Sequence, residues 1–290
     1  MKILLFGANG QVGREVIAAA ADADVNLTAA SRDDADLAAQ GAAAAMVSRI
    51  RPDLIINAAA WTAVDKAEAE DRAVRRINGE APGELAVSAR RHGARLIHLS
   101  TDYVFSGAPA ERPLDETSPV GPVNVYGETK LLGERLVLNA CPDAVVLRTS
   151  WVYSSHGSNF VRTMLRLAAT KDGISVVADQ IGGPTPARAI AGACLKIAHC
   201  ESGPGGVFHF QGAPPASWAD FAEAIFAAAG AETSVMKIET RAYPTPARRP
   251  LYTVLNCSKI LRDYGVEQPD WRCDLPSTVA RILNVDPTQL

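Results

Sequence analysis

The chain has 290 residues, of which 48% are hydrophobic and 21% charged, and its formal net charge is -3. These values are typical of a globular protein with one large domain or two smaller ones, and the slightly acidic balance argues against nucleic acid or an anionic membrane as a partner. The apolar run at the N-terminus is too short for a signal peptide, and no other run is long enough to cross a membrane. We therefore expect a cytoplasmic protein.

The cysteines and histidines show no pattern that indicates a disulfide framework or a metal site. The cysteines are scattered, odd in number and never in a C-x-x-C arrangement, which predicts reduced thiols. The histidines lack metal-ligand spacing, and the adjacent pair His199 and Cys200 is a poor candidate for two ligands of one tetrahedral ion. We expect no obligatory metal. The residues concerned are Cys141, Cys194, Cys200, Cys257 and Cys273, with His92, His98, His156, His199 and His209.

The N-terminus combines a short strand, closely spaced glycines and a helix. Residues 2–6 predict a buried parallel strand, and 11–21 predict the helix that follows. Between them Gly7, Gly10 and Gly13 follow a Gly-x-x-Gly-x-x-Gly spacing rather than the G-x-G-x-x-G of the archetype. Glycines in this context allow a tight turn and close approach of a pyrophosphate to the helix N-terminus. A dinucleotide site is favoured over a plain glycine-rich turn.

The second predicted strand, 26–30, ends in Ser31 and Arg32. NAD-binding folds usually place an acidic residue there, which bonds the ribose hydroxyls. Arg32 can instead pair with a 2′-phosphate, so the sequence favours NADPH, with NADH still possible. A plain surface arginine is the alternative.

Strands and helices continue to alternate as far as residue 149. A helix is predicted over 40–50, a strand over 52–57 that runs into the small residues 58–60, helices over 64–70 and 72–92, and a strand over 95–99. A loop over 106–124, a helix over 126–139 and a strand over 144–149 complete the series. This alternation predicts an α/β fold with a Rossmann-type, doubly wound parallel sheet. Ligands bind at the carboxyl edge of such a sheet.

Tyr126 and Lys130 form a Tyr-x-x-x-Lys pair on one of these predicted helices. A spacing of four places both side chains on one face, one turn apart. Lowering a tyrosine pKa from ~10 to ~7 takes roughly 4 kcal/mol, which one ammonium at about 4 Å supplies at an effective dielectric near 20. We therefore expect Lys130 to lower the pKa of Tyr126, although such a pair is also common on exposed helices.

The pattern loosens after residue 150. Helices are predicted over 160–169, 187–199 and 218–229, and strands over 175–178 and 206–210 that both extend the sheet. Short helices near 257–264 and 276–284 end the chain. We expect residues 1–150 and 172–210 to form the dinucleotide-binding domain, and 151–171 and 211–290 to form a smaller α/β substrate-binding domain.

Taken together, the glycine spacing, Thr101 after the fourth strand, and Tyr126 with Lys130 resemble the extended short-chain dehydrogenase/reductase family. Longer stretches are similar to the members of that family that act on dTDP-linked 4-keto sugars, and these motifs extend over most of the chain. The stretches are 57–68 (NAAAWTAVDKAE), 100–105 (STDYVF), 124–130 (NVYGETK), 148–153 (RTSWVY) and 243–250 (YPTPARRP).

The resemblance implies NAD(P)H-dependent reduction of the 4-keto group of dTDP-4-dehydro-L-rhamnose. It implies that Tyr126 protonates the developing alkoxide, that Lys130 stabilises the phenolate and bonds the nicotinamide ribose, and that Thr101 polarises the substrate oxygen. The implied substrate contacts are Thr101, Asp102 and Trp151. Arg248 and Arg249 are candidates for a bidentate clamp on the substrate pyrophosphate, and the alternative is a surface loop that packs their aliphatic stems. The predicted cofactor contacts are Gly7, Asn9, Gly10, Gln11, Val12, Gly13, Ser31, Arg32, Asp36, Leu37, Ala58, Ala60, Trp61, Thr62, Tyr126 and Lys130.

Two alternative functions remain open at this stage. The chain could reduce or epimerise another nucleotide sugar, and an epimerase would hold its NAD permanently. It could also be a non-catalytic regulatory subunit, although such relatives typically lose the Tyr or the Lys. Family members are often dimers, sometimes through magnesium held by glutamates, so a homodimer is possible here.

Overall fold

The computed structural model describes residues 1–21, 23, 25–200 and 202–284, and strands and helices alternate through most of this length. The strands are β1 (Lys2–Phe6), β2 (Asn26–Ala30), β3 (Leu54–Asn57), β4 (Arg95–Thr101), β5 (Val145–Thr149), β6 (Val152–Tyr153), β7 (Gly173–Val177), β8 (Ile181–Gly182), β9 (Thr185–Pro186), β10 (Gly206–His209), β11 (Ala216–Ser217) and β12 (Ser234–Ile238). The α-helices are α1 (Gln11–Ala21), α2 (Ala42–Ile50), α3 (Val64–Ala67), α4 (Asp71–Arg75), α5 (Ala81–His92), α6 (Val125–Ala140), α7 (Phe160–Ala168), α8 (Ala187–His199), α9 (Trp218–Ala229), α10 (Ser258–Tyr264) and α11 (Trp271–Leu283).

A six-stranded parallel sheet forms the centre of the fold, with strand order β10-β5-β4-β3-β1-β2. Its strands are apolar on both faces because helices cover both faces. In β1, the four residues from Ile3 to Phe6 are at most 1% exposed. The predicted doubly wound parallel sheet is confirmed.

Alternate side chains of β1 enter two separate cores. Ile3 and Leu5 belong to the core shared with α1 and α8, whereas Leu4 and Phe6 belong to the core shared with α2, α5 and α6. This follows from the period of two in a strand, which sends successive side chains to opposite faces. Each helix layer therefore has its own apolar support.

The register of the sheet brings the strand ends to one edge. Phe6 at the end of β1 pairs with Ala30 of β2 and with Asn57 of β3, and Thr101 of β4 pairs with Thr149 of β5. Because the strands are parallel, the segments that follow them leave from this same carboxyl edge. Gly7, Ser31 and the alanines after Asn57 are therefore neighbours in space.

The C-terminal part has a third core between α7, α9 and α11. One sequence expectation fails here: β10 joins the central sheet, but the strand predicted over 175–178 does not. That strand, β7, pairs in parallel with β12, a strand that the sequence did not suggest. Only two of its five residues are buried, which fits a strand with one covered face better than a strand inside a central sheet. The division into two domains stays a prediction.

Helix α11 begins earlier than predicted, at Trp271 rather than 276. The Asp270 side chain caps it by accepting from the Arg272 N–H, and Pro276 lies inside the helix. A proline removes one helical hydrogen bond, but burial of a whole helix face can offset that loss. The buried face of α11 includes Trp271, Leu275 and Ile282.

In the described part of the chain, no helix combines the length and the apolar character needed to cross a membrane. The five cysteines are free thiols.

Candidate active site

The glycine-rich segment after β1 packs directly against neighbouring backbone. Gly7 has φ +86°, and a Cβ there would lie 2.6 Å from the Ala59 nitrogen. A Cβ on Gly13 would lie 2.1 Å from the Gly7 carbonyl oxygen. Neither position has room for a side chain, so these glycines allow β1, α1 and the segment after β3 to meet closely.

A cavity of about 300 Å³ opens at this meeting point. Most of the residues predicted to bind a dinucleotide lie in its wall, where the ends of β1, β2 and β3 converge. Ser31 is fixed there because its N–H and its hydroxyl both donate to Asp34 Oδ2, at 2.8 and 2.7 Å. The lining residues are Phe6, Gly7, Asn9, Gly10, Ser31, Arg32, Ala35, Asp36, Leu37, Ala58, Ala59, Ala60 and Ile77.

Some predicted cofactor residues do not line this cavity. Gln11 Oε1 accepts from Ser154 Oγ at 3.0 Å and from Asn159 Nδ2 at 2.9 Å, so its side chain joins the start of α1 to the segment before α7. Val12 places its side chain in the core. Trp61 and Thr62 also lie outside the lining, in the segment that continues from the alanines.

Asn78 supports that segment, and the sequence prediction missed it. The buried Asn78 accepts from the Trp61 N–H at 2.8 Å and donates to the Trp61 carbonyl at 3.0 Å. It lies in a π-helical turn, Arg76–Glu80, between α4 and α5. Such turns frequently occur near functional sites, but no sequence pattern marked this one.

The structure brings Thr101, Tyr126 and Lys130 together at the carboxyl edge of the sheet. Asn124 caps α6 by accepting from the Gly127 N–H at 2.8 Å. A Cβ on Gly127 would lie 2.2 Å from the Tyr103 carbonyl oxygen, so the first turn of α6 packs tightly on the segment after β4. In this arrangement the Thr101 side chain lies close enough to Tyr126 to affect the pKa of its phenol. Lys130 Nζ donates to the Leu99 carbonyl at 2.7 Å.

The expected lowering of the Tyr126 pKa by Lys130 is wrong for this structure. Burial raises the pKa of Tyr126 to about 12, although the Thr101 side chain opposes the rise. Burial also lowers the pKa of Lys130 to about 8, and Glu134 opposes that change. The sequence estimate counted the attraction of one ammonium but omitted desolvation, which disfavours the charged form of both side chains.

Asp102 is the third polar group beside Tyr126, and it is 1% exposed. Its Oδ1 accepts from Thr101 Oγ1 at 3.1 Å, while its Oδ2 has no hydrogen-bond partner in the described structure. Burial raises the pKa of this carboxyl to about 7, and the hydroxyls of Thr253 and Thr101 oppose the rise. Thr253, far away in sequence, was not predicted.

A second cavity, of about 730 Å³, lies next to Tyr103 and includes Arg249 among its lining residues. Arg249 is held by Asp65, at 2.9 Å between Nη2 and Oδ2. Trp218 also lines this cavity, and Trp151 stacks on it with 3.5 Å between the ring centroids. Arg248 does not line the cavity, and its backbone carbonyl accepts from Asn124 Nδ2 at 2.8 Å. Of the two arginines predicted to contact the substrate, only Arg249 therefore lines this cavity.

The cavity also contains residues that the sequence did not suggest. Its lining is Asp65, Tyr103, Phe160, Thr163, Met164, Leu167, Lys171, Gly173, Ile174, Ser175, Val176, Val177, Gln180, Trp218, Tyr243, Thr245 and Arg249. Across the residues that the structure describes, no group of His, Cys, Asp and Glu side chains is arranged to hold a metal ion.

Comparison with known proteins gives consistent matches over nearly the whole chain. The family described as "RmlD substrate binding domain" matches residues 1–284. A protein of Burkholderia thailandensis named dTDP-4-dehydrorhamnose reductase is 44% identical, over 94% of this chain and 96% of that protein.

Solved structures agree with the sequence relatives. A crystal structure of a dTDP-4-dehydrorhamnose reductase from Clostridium acetobutylicum has a TM-score of 0.93 at 36% identity and covers 98% of this chain and 100% of that one. The enzyme of the same name from Bacillus anthracis, crystallised in complex with NADP, has a TM-score of 0.90 at 34% identity and covers 96% of this chain and 98% of that one.

Gly13→Ala should disrupt the glycine-rich segment, because its methyl group would collide with the Gly7 carbonyl. We expect NADPH binding to weaken by about tenfold or more, together with a lower melting temperature. Fluorescence titration and thermal unfolding would measure the two effects. Gly192→Ala in α8 is the matched control, because its methyl would meet no atom within 4 Å. Equal effects of both substitutions would contradict the packing described here.

Asp102→Asn should change how stability depends on pH. Above about pH 4 the unfolded chain releases the Asp102 proton, but the folded protein keeps it until about pH 7. The contribution of this group to the free energy of unfolding is therefore full below about pH 4 and falls as the pH rises towards 7. Between pH 5 and 7, the free energy of unfolding of Asp102→Asn should rise relative to the parent by roughly 2–3 kcal/mol.

Urea unfolding at pH 5 and pH 7 would measure this difference. Asp33→Asn, at an exposed position, is the control and should leave the pH dependence close to that of the parent. If the free energy of unfolding changes by the same amount between pH 5 and pH 7 in Asp102→Asn and in the parent, the pKa of Asp102 is not raised.

Proposed function

This chain belongs to the RmlD substrate binding domain family, and from that premise we propose that it reduces the 4-keto group of dTDP-4-dehydro-L-rhamnose with NADPH or NADH to give dTDP-L-rhamnose. Relatives that carry the name dTDP-4-dehydrorhamnose reductase align over nearly their whole length, which supports the substrate. The single observation that carries the proposal is the meeting of Thr101, Tyr126 and Lys130 where the end of β4 packs on α6.

The smaller cavity fits the dinucleotide. Its wall includes Gly7 and Gly10 next to the start of α1, where free N–H groups favour a pyrophosphate, and Gly7 and Gly13 allow the close backbone packing that forms this wall. Arg32, exposed at the rim, has the charge to pair with a 2′-phosphate. The Bacillus anthracis relative in complex with NADP supports this choice. When bound, NADPH supplies the hydride.

The protein residues provide the proton and the charge. In our proposal Tyr126 gives its phenolic proton to the substrate oxygen as negative charge develops there, and Thr101 donates a hydrogen bond to the same oxygen. Lys130, with its pKa at about 8, carries a positive charge at neutral pH and stabilises the phenolate that Tyr126 leaves behind. Solvent then returns a proton to Tyr126.

The larger cavity is the proposed place for the nucleotide part of the substrate. Arg249 offers a guanidinium to the diphosphate, although the structure shows it paired with Asp65. Trp151 supports Trp218, which offers an aromatic face inside the cavity. Asp102, which directly precedes Tyr103 of this cavity, is the remaining proposed substrate contact.

Two other functions are less well supported. A non-catalytic subunit has no need for a buried lysine beside a tyrosine and a threonine at this edge of the sheet. An epimerase or a reductase for another nucleotide sugar would use the same fold, and the structure neighbours below 25% identity, which include a UDP-glucose 4-epimerase, show the fold alone. We further propose a cytoplasmic enzyme, and a homodimer remains open.

Tyr126→Phe should lower turnover by about 10²–10⁴-fold while NADPH still binds, because only the proton donor is removed. The assay is the loss of reduced-nicotinamide absorbance with dTDP-4-dehydro-L-rhamnose. Tyr252→Phe is the control and should retain most of the activity, since Tyr252 lines neither of the two cavities. Near-normal turnover in Tyr126→Phe would remove Tyr126 from its proposed role.

Arg32→Ala should weaken NADPH binding by about tenfold and change NADH binding little, because only NADPH carries the 2′-phosphate. Titration of the free protein with each cofactor would measure both affinities. Arg91→Ala, an exposed arginine at the end of α5, should affect neither. If NADPH and NADH lose affinity equally in Arg32→Ala, Arg32 does not contact the phosphate.

A further inference from the structure

A cluster of buried polar groups lies next to the proposed catalytic residues, and the reaction described above does not use it. Its centre is Glu134 on α6, which is 2% exposed. The carboxylate accepts from Ser100 Oγ at 2.5 Å, from Arg148 Nε at 2.9 Å and from Arg148 Nη2 at 2.7 Å. Arg148 on β5 is 4% exposed. Glu134 thus connects α6 to two strands of the sheet.

Glu134 lies on the same face of α6 as the proposed catalytic residues. Tyr126, Lys130 and Glu134 follow one another at intervals of four, so they share one face of α6. The last three residues of β4 meet that face: the Leu99 carbonyl accepts from Lys130, Ser100 donates to Glu134, and Thr101 lies next to Tyr126. Glu134 fixes the rotation of the helix that carries the other two.

We propose that Glu134 is a positioning residue for Lys130, which holds the lysine against β4 and keeps its ammonium charged in a buried setting. This inference rests on the catalytic role proposed for Lys130. The chemistry is electrostatic: an anion one helical turn away favours the charged form of the lysine and offsets part of the cost of its burial.

The other ionisable groups around Lys130 do not supply this negative charge. From β4, His98 is held neutral, because burial and the charge of Lys130 keep its pKa well below the usual range. From β5, Arg148 pairs with Glu134 at 2.7 Å and brings a positive charge, not a negative one. Tyr126 is uncharged at neutral pH because burial raises its pKa to about 12, and the pKa of Lys130 responds to Glu134 and not to Asp102. Glu134 opposes the fall in the Lys130 pKa that burial causes.

Two substitutions separate the charge of Glu134 from its hydrogen bonds. Glu134→Gln keeps the length of the side chain and removes the charge, whereas Glu134→Asp keeps the charge and shortens the side chain. The ionisation of Lys130 is measured directly by NMR on the full-length protein with ¹³C-labelled lysine Cε. The resonance is assigned by its loss in Lys130→Met. The pH profile of kcat/KM for the reductase assay is recorded for the same variants.

The titration midpoint of Lys130 should fall by about half a unit or more in Glu134→Gln and stay near the parent value in Glu134→Asp. The basic limb of the pH profile should move in the same way, so that Glu134→Gln loses more activity at pH 8.5 than at pH 6.5. A purely structural role predicts losses in both variants without any shift of the titration. An unshifted Lys130 titration in Glu134→Gln overturns the proposal, whatever the activity.

Glu134→Gln leaves Arg148 as an unpaired buried cation, and the variant could fail to fold. Glu134→Gln/Arg148→Met then takes its place, because it removes both charges together. Its Lys130 titration should still lie below that of the parent, since Glu134 is on the helix face of Lys130 while Arg148 belongs to a strand. If the titration shifts as expected but the parent does not reduce the sugar, the proposed function fails and the coupling of Glu134 to Lys130 stands.

Discussion

The close packing of α6 on the end of β4 is the constraint on which the site depends. Gly127 lies so near to the Tyr103 carbonyl that no side chain fits between them. This contact sets the height of α6 above the sheet, and with it the distance between Thr101 and Tyr126. Lys130 follows one turn later and reaches a β4 carbonyl. One helix–strand contact therefore positions groups that come from separate parts of the sequence.

Burial is the second influence on the site, because it disfavours the charged form of each ionisable side chain. It raises the pKa of Tyr126 and of Asp102 and lowers that of Lys130. The tyrosine is thus a phenol that holds its proton until a stronger base develops beside it, which suits a proton donor in a reduction. The lysine remains charged at neutral pH, helped by Glu134. The negative charge of Glu134, on the same helix, favours the charged form of Lys130 at a position that solvent does not reach.

The two cavities show how distant segments complete one site. The smaller cavity is built from residues close to strand ends, which parallel pairing brings together in a regular way. The larger cavity combines Asp65, after β3, with Arg249, from the proline-rich segment near the C-terminus. Their ion pair fixes that segment over the site, because Asp65 also accepts from the Ala247 N–H. The smaller cavity could therefore be predicted from local sequence patterns, whereas the larger cavity depends on contacts between residues far apart in the sequence.

The sequence by itself predicted the central parallel sheet, the glycine-rich segment and the pair of Tyr126 and Lys130, and resemblance to a known family added Thr101. Apolar strands, glycines and an i, i+4 pair are local signals, since they reflect backbone geometry over a few residues. Only the tertiary structure decided that β7 pairs with β12 and that Asn78 supports the segment after β3. It also decided that burial sets the pKa of Tyr126. Strand pairing, buried hydrogen bonds and desolvation depend on residues far apart in the chain, whose meeting no local pattern records.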